Sequence, residues 1–349
     1  VIAAAERRAG RDSPDFELAG RDHSVAALDR LSALLADDMQ AVNRIIVDRM
    51  HSPVALIPQL AGYIVAAGGK RLRPLLTLAA ADLCGYTGTR HHKLAAAVEF
   101  IHTATLLHDD VVDESERRRG QDSANTLFGN QASVLVGDFL FSRSFELMVE
   151  DGSLDVLRIL SRASAVIAEG EVLQLATTNN LKTSESEYLA VVAAKTAALF
   201  AAACEIGAIV ADRPAADAAA LQQFGTSFGI AFQIVDDVLD YSAREAKLGK
   251  TVGDDFREGK MTLPVVYAIS RGSEIERTFW RRTLEDLDQR EGDLEHAVAL
   301  IERHGGFGSA LDLARTHGAL ALEALNSLPL RPMRGTLAAL VEFCINREF

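Results

Sequence analysis

Two acidic pentapeptides, Asp109-Asp110-Val111-Val112-Asp113 and Asp236-Asp237-Val238-Leu239-Asp240, stand far apart in a chain rich in Ala and Leu. On a helix, residues four apart share a face, so Asp109 stands over Asp113 and Asp236 over Asp240. Two such clusters facing each other across a bundle would repel unless cations lay between them. Oxygen-only donors suit hard cations, and Mg²⁺ is typically held by one or two carboxylates together with substrate phosphates. The chemistry implied is Mg²⁺ holding a phosphorylated substrate.

Basic residues accompany these carboxylates. Glu116-Arg117-Arg118-Arg119-Gly120 follows the first cluster. Read blandly it is a solvated helix end, but Arg is also the planar fork that matches phosphate oxygens. Gly68-Gly69-Lys70-Arg71-Leu72-Arg73-Pro74 leads from a glycine turn into a helix, and it could hold a second anion without metal through Lys70, Arg73 and backbone N–H groups. Its spacing is wrong for a Walker A loop, which disfavours a nucleotide triphosphatase. His102 lies two turns before Asp109 and Gln233 one turn before Asp236. Lys195-Thr196, Lys250 and Lys260 add polar groups among apolar neighbours, the last two beside glycines in loop-like segments.

The elements that must position these residues read as helices. Among the 349 residues 48% are hydrophobic, and apolar residues recur every three or four positions from Val25 onward. The periodicity predicts helices near 25–49, 53–67, 71–84, 91–115, 122–128, 131–150, 153–176, 185–211, 215–241, 261–271, 274–289, 293–303, 307–325 and 332–346. β-Branched alternation is too sparse to build a sheet. The expected fold is therefore all-α, a large single-domain helical bundle around a deep central cavity, spanning residues 21–349 after a loose tail over 1–20. The net charge of −13 argues against a nucleic-acid partner. Cys84, Cys204 and Cys344 form no ligand pair and suit free thiols in a reducing compartment. No apolar signal run is expected at the N-terminus and no stretch uncharged enough to span a bilayer, since even 196–211 carries Glu205. A cytoplasmic protein is the resulting expectation.

Taken together, these motifs resemble the trans-isoprenyl diphosphate synthases, or polyprenyl synthetases. The resemblance runs in order from Gly69-Lys70-Arg71-Leu72-Arg73-Pro74 through Leu107-His108-Asp109-Asp110-Val111-Val112-Asp113, Arg118-Arg119-Gly120 and Gly137-Asp138-Phe139-Leu140. It continues with Lys195-Thr196, Phe232-Gln233-Ile234-Val235-Asp236-Asp237, Gly249-Lys250-Thr251 and Gly259-Lys260-Met261-Thr262-Leu263-Pro264. The segment around Asp109 is most similar to octaprenyl-to-decaprenyl synthases that make quinone side chains.

The resemblance implies that Lys70, Arg73, His102 and Arg119 hold isopentenyl diphosphate. Arg118, Lys195, Thr196, Gln233 and Lys260 would contact the allylic diphosphate. Asp109, Asp113 and Asp236 would ligate Mg²⁺, three ions once substrate is bound, with Asp110, Asp237, Asp240 and Lys250 in support. It also implies a homodimer and a chain-length floor at Ala104 and Thr105, small residues one turn before Asp109; Phe139, Phe141 and Phe145 are candidates for a deeper stop. Small floor residues favour a long product, which should prefer a membrane or detergent acceptor on release. The family's basic C-terminal tail is reduced here to Arg347. Competing readings are a class I terpene cyclase or head-to-head synthase, a shorter-chain synthase, and a non-catalytic regulatory subunit. The metal-free basic segment and the second DDxxD motif oppose the cyclase, and retention of both carboxylate sets opposes the subunit.

Overall fold

The computed structural model describes residues 27–66, 69–118, 121–241 and 252–346. The expected tail over 1–20, Arg119, Lys250 and Arg347 lie outside them. Helical residues 27–34 lead into α1 (Ala36–Arg49), followed by α2 (Leu56–Ala66), α3 (Leu72–Leu83) and α4 (Arg90–Val112). A two-stranded antiparallel pair, β1 (Arg117–Arg118) and β2 (Gln121–Asp122), precedes α5 (Ala124–Phe128), α6 (Asn130–Asp151) and α7 (Leu154–Thr177). One continuous helical run, α8 (Glu185–Val210), leads to α9 (Ala215–Asp240). The C-terminal part comprises α10 (Asp254–Arg257), α11 (Leu263–Arg271), α12 (Glu274–Trp280), α13 (Asp293–Arg303), α14 (Gly306–Asn326) and α15 (Pro332–Ile345). The all-α expectation holds, and the short strand pair is an addition to it.

Local chemistry sets these boundaries. Ser184 opens α8 with a reciprocal cap: its Oγ accepts the Glu187 N–H, while Glu187 Oε2 accepts the Ser184 N–H at 2.8 Å. α11 starts with Pro264 in its first turn, where the missing N–H costs nothing. α4 ends three residues earlier than its apolar pattern predicts, because Glu114 turns left-handed at φ 51°. The Ser115 N–H then reaches back to the Asp110 carbonyl at 2.9 Å, closing the last turn. That reversal leaves Asp113 at the helix end and sends the chain into the β1–β2 hairpin.

The core is built on close helix contacts. An added Cβ at Gly207 of α8 would stand 2.5 Å from Ala80 Cβ and 2.7 Å from the Ala81 nitrogen of α3. One at Gly225 of α9 would stand 2.5 Å from the Phe200 carbonyl of α8. Glycine and alanine thus let three backbones approach to distances that larger residues forbid. Apart from Glu205, the second half of α8 is apolar, with Leu199, Phe200, Cys204 and Ile206 buried. This corrects the expectation that no stretch could span a bilayer. Glu185–Val210 is long and apolar enough by length and composition, and 56% of its apolar window is buried inside the protein. All three cysteines are buried and none is in a disulfide. Burial raises the Cys84 thiol to about 11, so packing rather than nucleophilic chemistry is what it supplies.

Candidate active site

The C-terminal half of α4 and the C-terminal end of α9 border one cavity of about 540 Å³, whose walls include Asp109, Asp113, Asp236, Asp237 and Asp240. The two acidic motifs therefore meet in space. Within each, the carboxylates divide by role. Asp110 is buried and is gripped by Arg118, whose Nε and Nη2 donate to one carboxylate oxygen at 2.7 and 2.6 Å. The β1–β2 hairpin returns Arg118 to that spot, so Asp110 fixes an arginine at the cavity rim. Asp237 is likewise buried, accepting from Tyr188 Oη at 2.6 Å and from Gln233 Nε2 at 2.7 Å. The Gln233 amide oxygen in turn accepts from Thr196 Oγ1 at 2.9 Å. Asp236 is exposed to the cavity, and Asp240 anchors the following segment by accepting the Asp255 N–H at 3.1 Å.

Lys195 and Thr196 reach this centre because α8 widens into one π turn, Ala193–Ala197. Such turns carry an extra residue per turn and recur at functional sites. Gly170 of α7 permits it, since a Cβ there would lie 2.8 Å from the Lys195 nitrogen. Lys195 Nζ donates to Glu171 at 2.6 Å and lies 3.5 Å from Asp109 Oδ2. Lys260 comes from the loop after α10 and pairs with Asp113 at 2.9 Å and Glu258 at 2.5 Å. Burial alone would lower the Lys260 ammonium, but Asp255, Asp113 and Glu258 outweigh it and raise it.

Also on the cavity wall, Arg73 Nη1 donates to His102 Nε2 at 3.1 Å, and the Arg73 guanidinium lies 4.3 Å over the Phe200 ring. Arg71 turns away, pairing with Asn43 of α1 and lying 3.9 Å from Glu99 of α4. Its left-handed backbone, φ 43°, separates the two arginines. Lys70 is exposed, its ammonium 5.8 Å from the Phe343 ring centroid. Thr105 lines the cavity, whereas Ala104 is fully buried in the core.

Sequence reasoning passed over Glu171, Tyr188, Asp255 and Glu258. Asp255 carried a weak signal, lying between Gly253 and Gly259 in the loop already marked for its lysines. Glu171 and Tyr188 had none, because each sits on a helix far in sequence from its partner.

Negative charge dominates the cavity. Burial, and then the nearby Asp109, push Glu171 up to about 7. Burial and Asp255 push Asp240 up to about 8, and burial holds Asp237 well above the carboxylate range. Burial also raises Asp109, with Lys195 opposing and Asp113 reinforcing the rise. Glu171 Oε1 is buried without a hydrogen-bond partner. Oxygen-only donors, crowded negative charge and an unsatisfied carboxylate oxygen together fit a hard divalent cation.

An all-α bundle with paired aspartate motifs and with Arg73 and His102 on the same cavity defines a class, and residues 54–301 match its family: the chain belongs to the polyprenyl synthetase family. It is thus an enzyme, a polyprenyl diphosphate synthase that transfers prenyl groups. It is 43% identical over 329 residues to the octaprenyl diphosphate synthase of Haemophilus influenzae, covering 94% of this chain and all of that one. The decaprenyl diphosphate synthase structure from Rhodobacter capsulatus superposes with TM-score 0.88 at 53% identity, covering 92% of this chain and 100% of the other. The polyprenyl synthase of Caulobacter crescentus, complexed with calcium and isoprenyl diphosphate, gives TM-score 0.89 at 52% identity, covering 92% and 98%.

Proposed function

We propose that this enzyme elongates an allylic diphosphate such as farnesyl diphosphate by successive head-to-tail trans condensations with isopentenyl diphosphate, ending at octaprenyl to decaprenyl length for a quinone side chain. The observation that carries this is one cavity bordered by both acidic motifs and also by Arg73 and His102. Asp109, Asp113 and Asp236 are the groups that would hold Mg²⁺, three ions with substrate present. Bound there, the metal would neutralise charge on the leaving diphosphate. Arg118, Lys195 and Lys260 line the cavity and would donate to the same oxygens, and Thr196 and Gln233, linked to each other and to Asp237, would also contact the allylic diphosphate. Preorganised charge of this kind is expected to supply most of the rate enhancement, because the diphosphate gains negative charge as its bond to carbon breaks. Lys250 would assist from the loop. Lys70, Arg73, His102 and Arg119 would hold isopentenyl diphosphate so that its double bond faces the allylic cation, and the released diphosphate would take the proton. No protein nucleophile is required.

We read residues 21–349 as one catalytic domain and the protein as a cytoplasmic homodimer. The dimer is supported by exposed apolar side chains that recur on α6 and α7, including Leu135, Val149, Leu154 and Val172. The three cysteines outside disulfides suit a reducing compartment.

The test is incubation with Mg²⁺, farnesyl diphosphate and labelled isopentenyl diphosphate, with product mass read after dephosphorylation. A discrete polyprenol of eight to ten units is expected, and no elongation by folded, metal-replete protein would refute the reading. In the same assay Arg73→Ala removes a charge-assisted contact of about 2 kcal/mol, so KM for isopentenyl diphosphate should rise roughly thirtyfold. A selective rise in KM for the allylic substrate instead would reverse the pocket assignment.

A further inference from the structure

Away from the cavity, α4 begins with Arg90 and then two consecutive histidines whose rings face α1. His92 Nε2 lies 2.7 Å from Asp38 Oδ1, and His91 Nε2 lies 3.7 Å from the same oxygen. The two rings are tilted against each other with centroids 4.2 Å apart, and Tyr86 closes the far side of His91 edge-on. The three candidate donor atoms all lie within 4.8 Å of one another. His91 is buried, and its Nδ1 has no hydrogen-bond partner.

A histidine–carboxylate hydrogen bond accounts for His92 alone. It does not account for a second imidazole turned toward the same oxygen at a distance too long for a hydrogen bond. Tetrahedral coordination at about 2.0–2.1 Å from each donor separates neighbouring ligand atoms by roughly 3.3 Å, and the two observed separations bracket that value. We propose that Asp38, His91 and His92 form a binding site for a borderline transition-metal ion such as Zn²⁺, clipping α1 to the start of α4. Two imidazoles and one carboxylate select zinc-like ions over Mg²⁺ or Ca²⁺, which prefer oxygen throughout. The partly exposed Asp38 carboxylate and His92 ring give the ion an entry path.

The site is distinct from the acidic cavity, and no sequence motif marks it, because the rest of α1 and the whole of α2 and α3 separate His91-His92 from Asp38. Tag-free, full-length protein stripped with EDTA would be titrated with Zn²⁺ against a chromophoric chelator, in excess Mg²⁺ to saturate the oxygen-only sites. One equivalent should bind, and the melting temperature should rise with it. Binding should weaken at least roughly tenfold in His92→Gln and in Asp38→Asn, with prenyl transfer preserved in both. Asp109→Asn should bind zinc as the wild type does. The proposal fails if wild-type protein binds no zinc under these conditions, if His92→Gln and Asp38→Asn both bind it undiminished, or if Asp109→Asn abolishes it, which would place the ion in the acidic cavity.

Discussion

Replacing Asp109 with Asn should lower kcat by two to three orders of magnitude, equivalent to about 3–4 kcal/mol, while leaving the protein folded. The side chain keeps its size and loses the charge that the proposed metal site requires. It borders the cavity and lies 3.5 Å from the Lys195 ammonium, so the change also leaves that cation with a weaker partner. Lys195 retains Glu171 at 2.6 Å, which is why the fold should survive. Steady-state rates with Mg²⁺, together with light scattering and melting of the same preparation, measure both halves of the expectation. Near-normal turnover in folded Asp109→Asn would overturn the assignment of this carboxylate to the metal.

Thr105→Phe should shorten the product from the octaprenyl–decaprenyl range toward geranylgeranyl size. Thr105 lies one turn before Asp109 and faces the cavity, where its hydroxyl donates to the His102 carbonyl at 2.8 Å. A phenyl ring there would occupy space that the growing tail needs, at a contribution of about 0.8 kcal/mol for each methylene excluded from apolar burial. Ala104, the neighbouring candidate, is fully buried among core side chains. A Phe at Ala104 would overpack that core by about 1–3 kcal/mol, so a change in its product could reflect distortion as readily as blockage. Thr105→Phe separates the two effects. Mass analysis of the polyprenols reads the outcome, and an unchanged product from the folded variant would mean the tail runs along another wall.

Of the two residues, Asp109 was singled out by spacing, whereas Thr105 was singled out by the family resemblance. Four-residue separations put Asp109 with Asp113 and Asp236 with Asp240 before any tertiary information, because helical periodicity is local. The all-α class followed from the same periodicity, and most helix ends lie within a few residues of expectation. Where α4 stops early, the cause is a left-handed Glu114, a conformation that residue type does not announce.

What spacing could not supply was which charges face one another. The run Lys70-Arg71-Leu72-Arg73 offers three similar cations, yet backbone geometry sends Arg71 to Asn43 and Arg73 to the cavity. Asp110 and Asp237 match their motif partners in sequence, but burial converts them into holders of Arg118 and of Tyr188 with Gln233. Glu171 meets Lys195 only because Gly170 lets α7 approach a π turn in α8. The amino-acid sequence by itself determined the helical class, the two acidic motifs and the kind of ion they suit, since each follows from residue type and short-range periodicity. Tertiary packing alone decided which side chains share a cavity, which are buried as supports, and that His91 and His92 meet Asp38, because those contacts join residues that no local period connects.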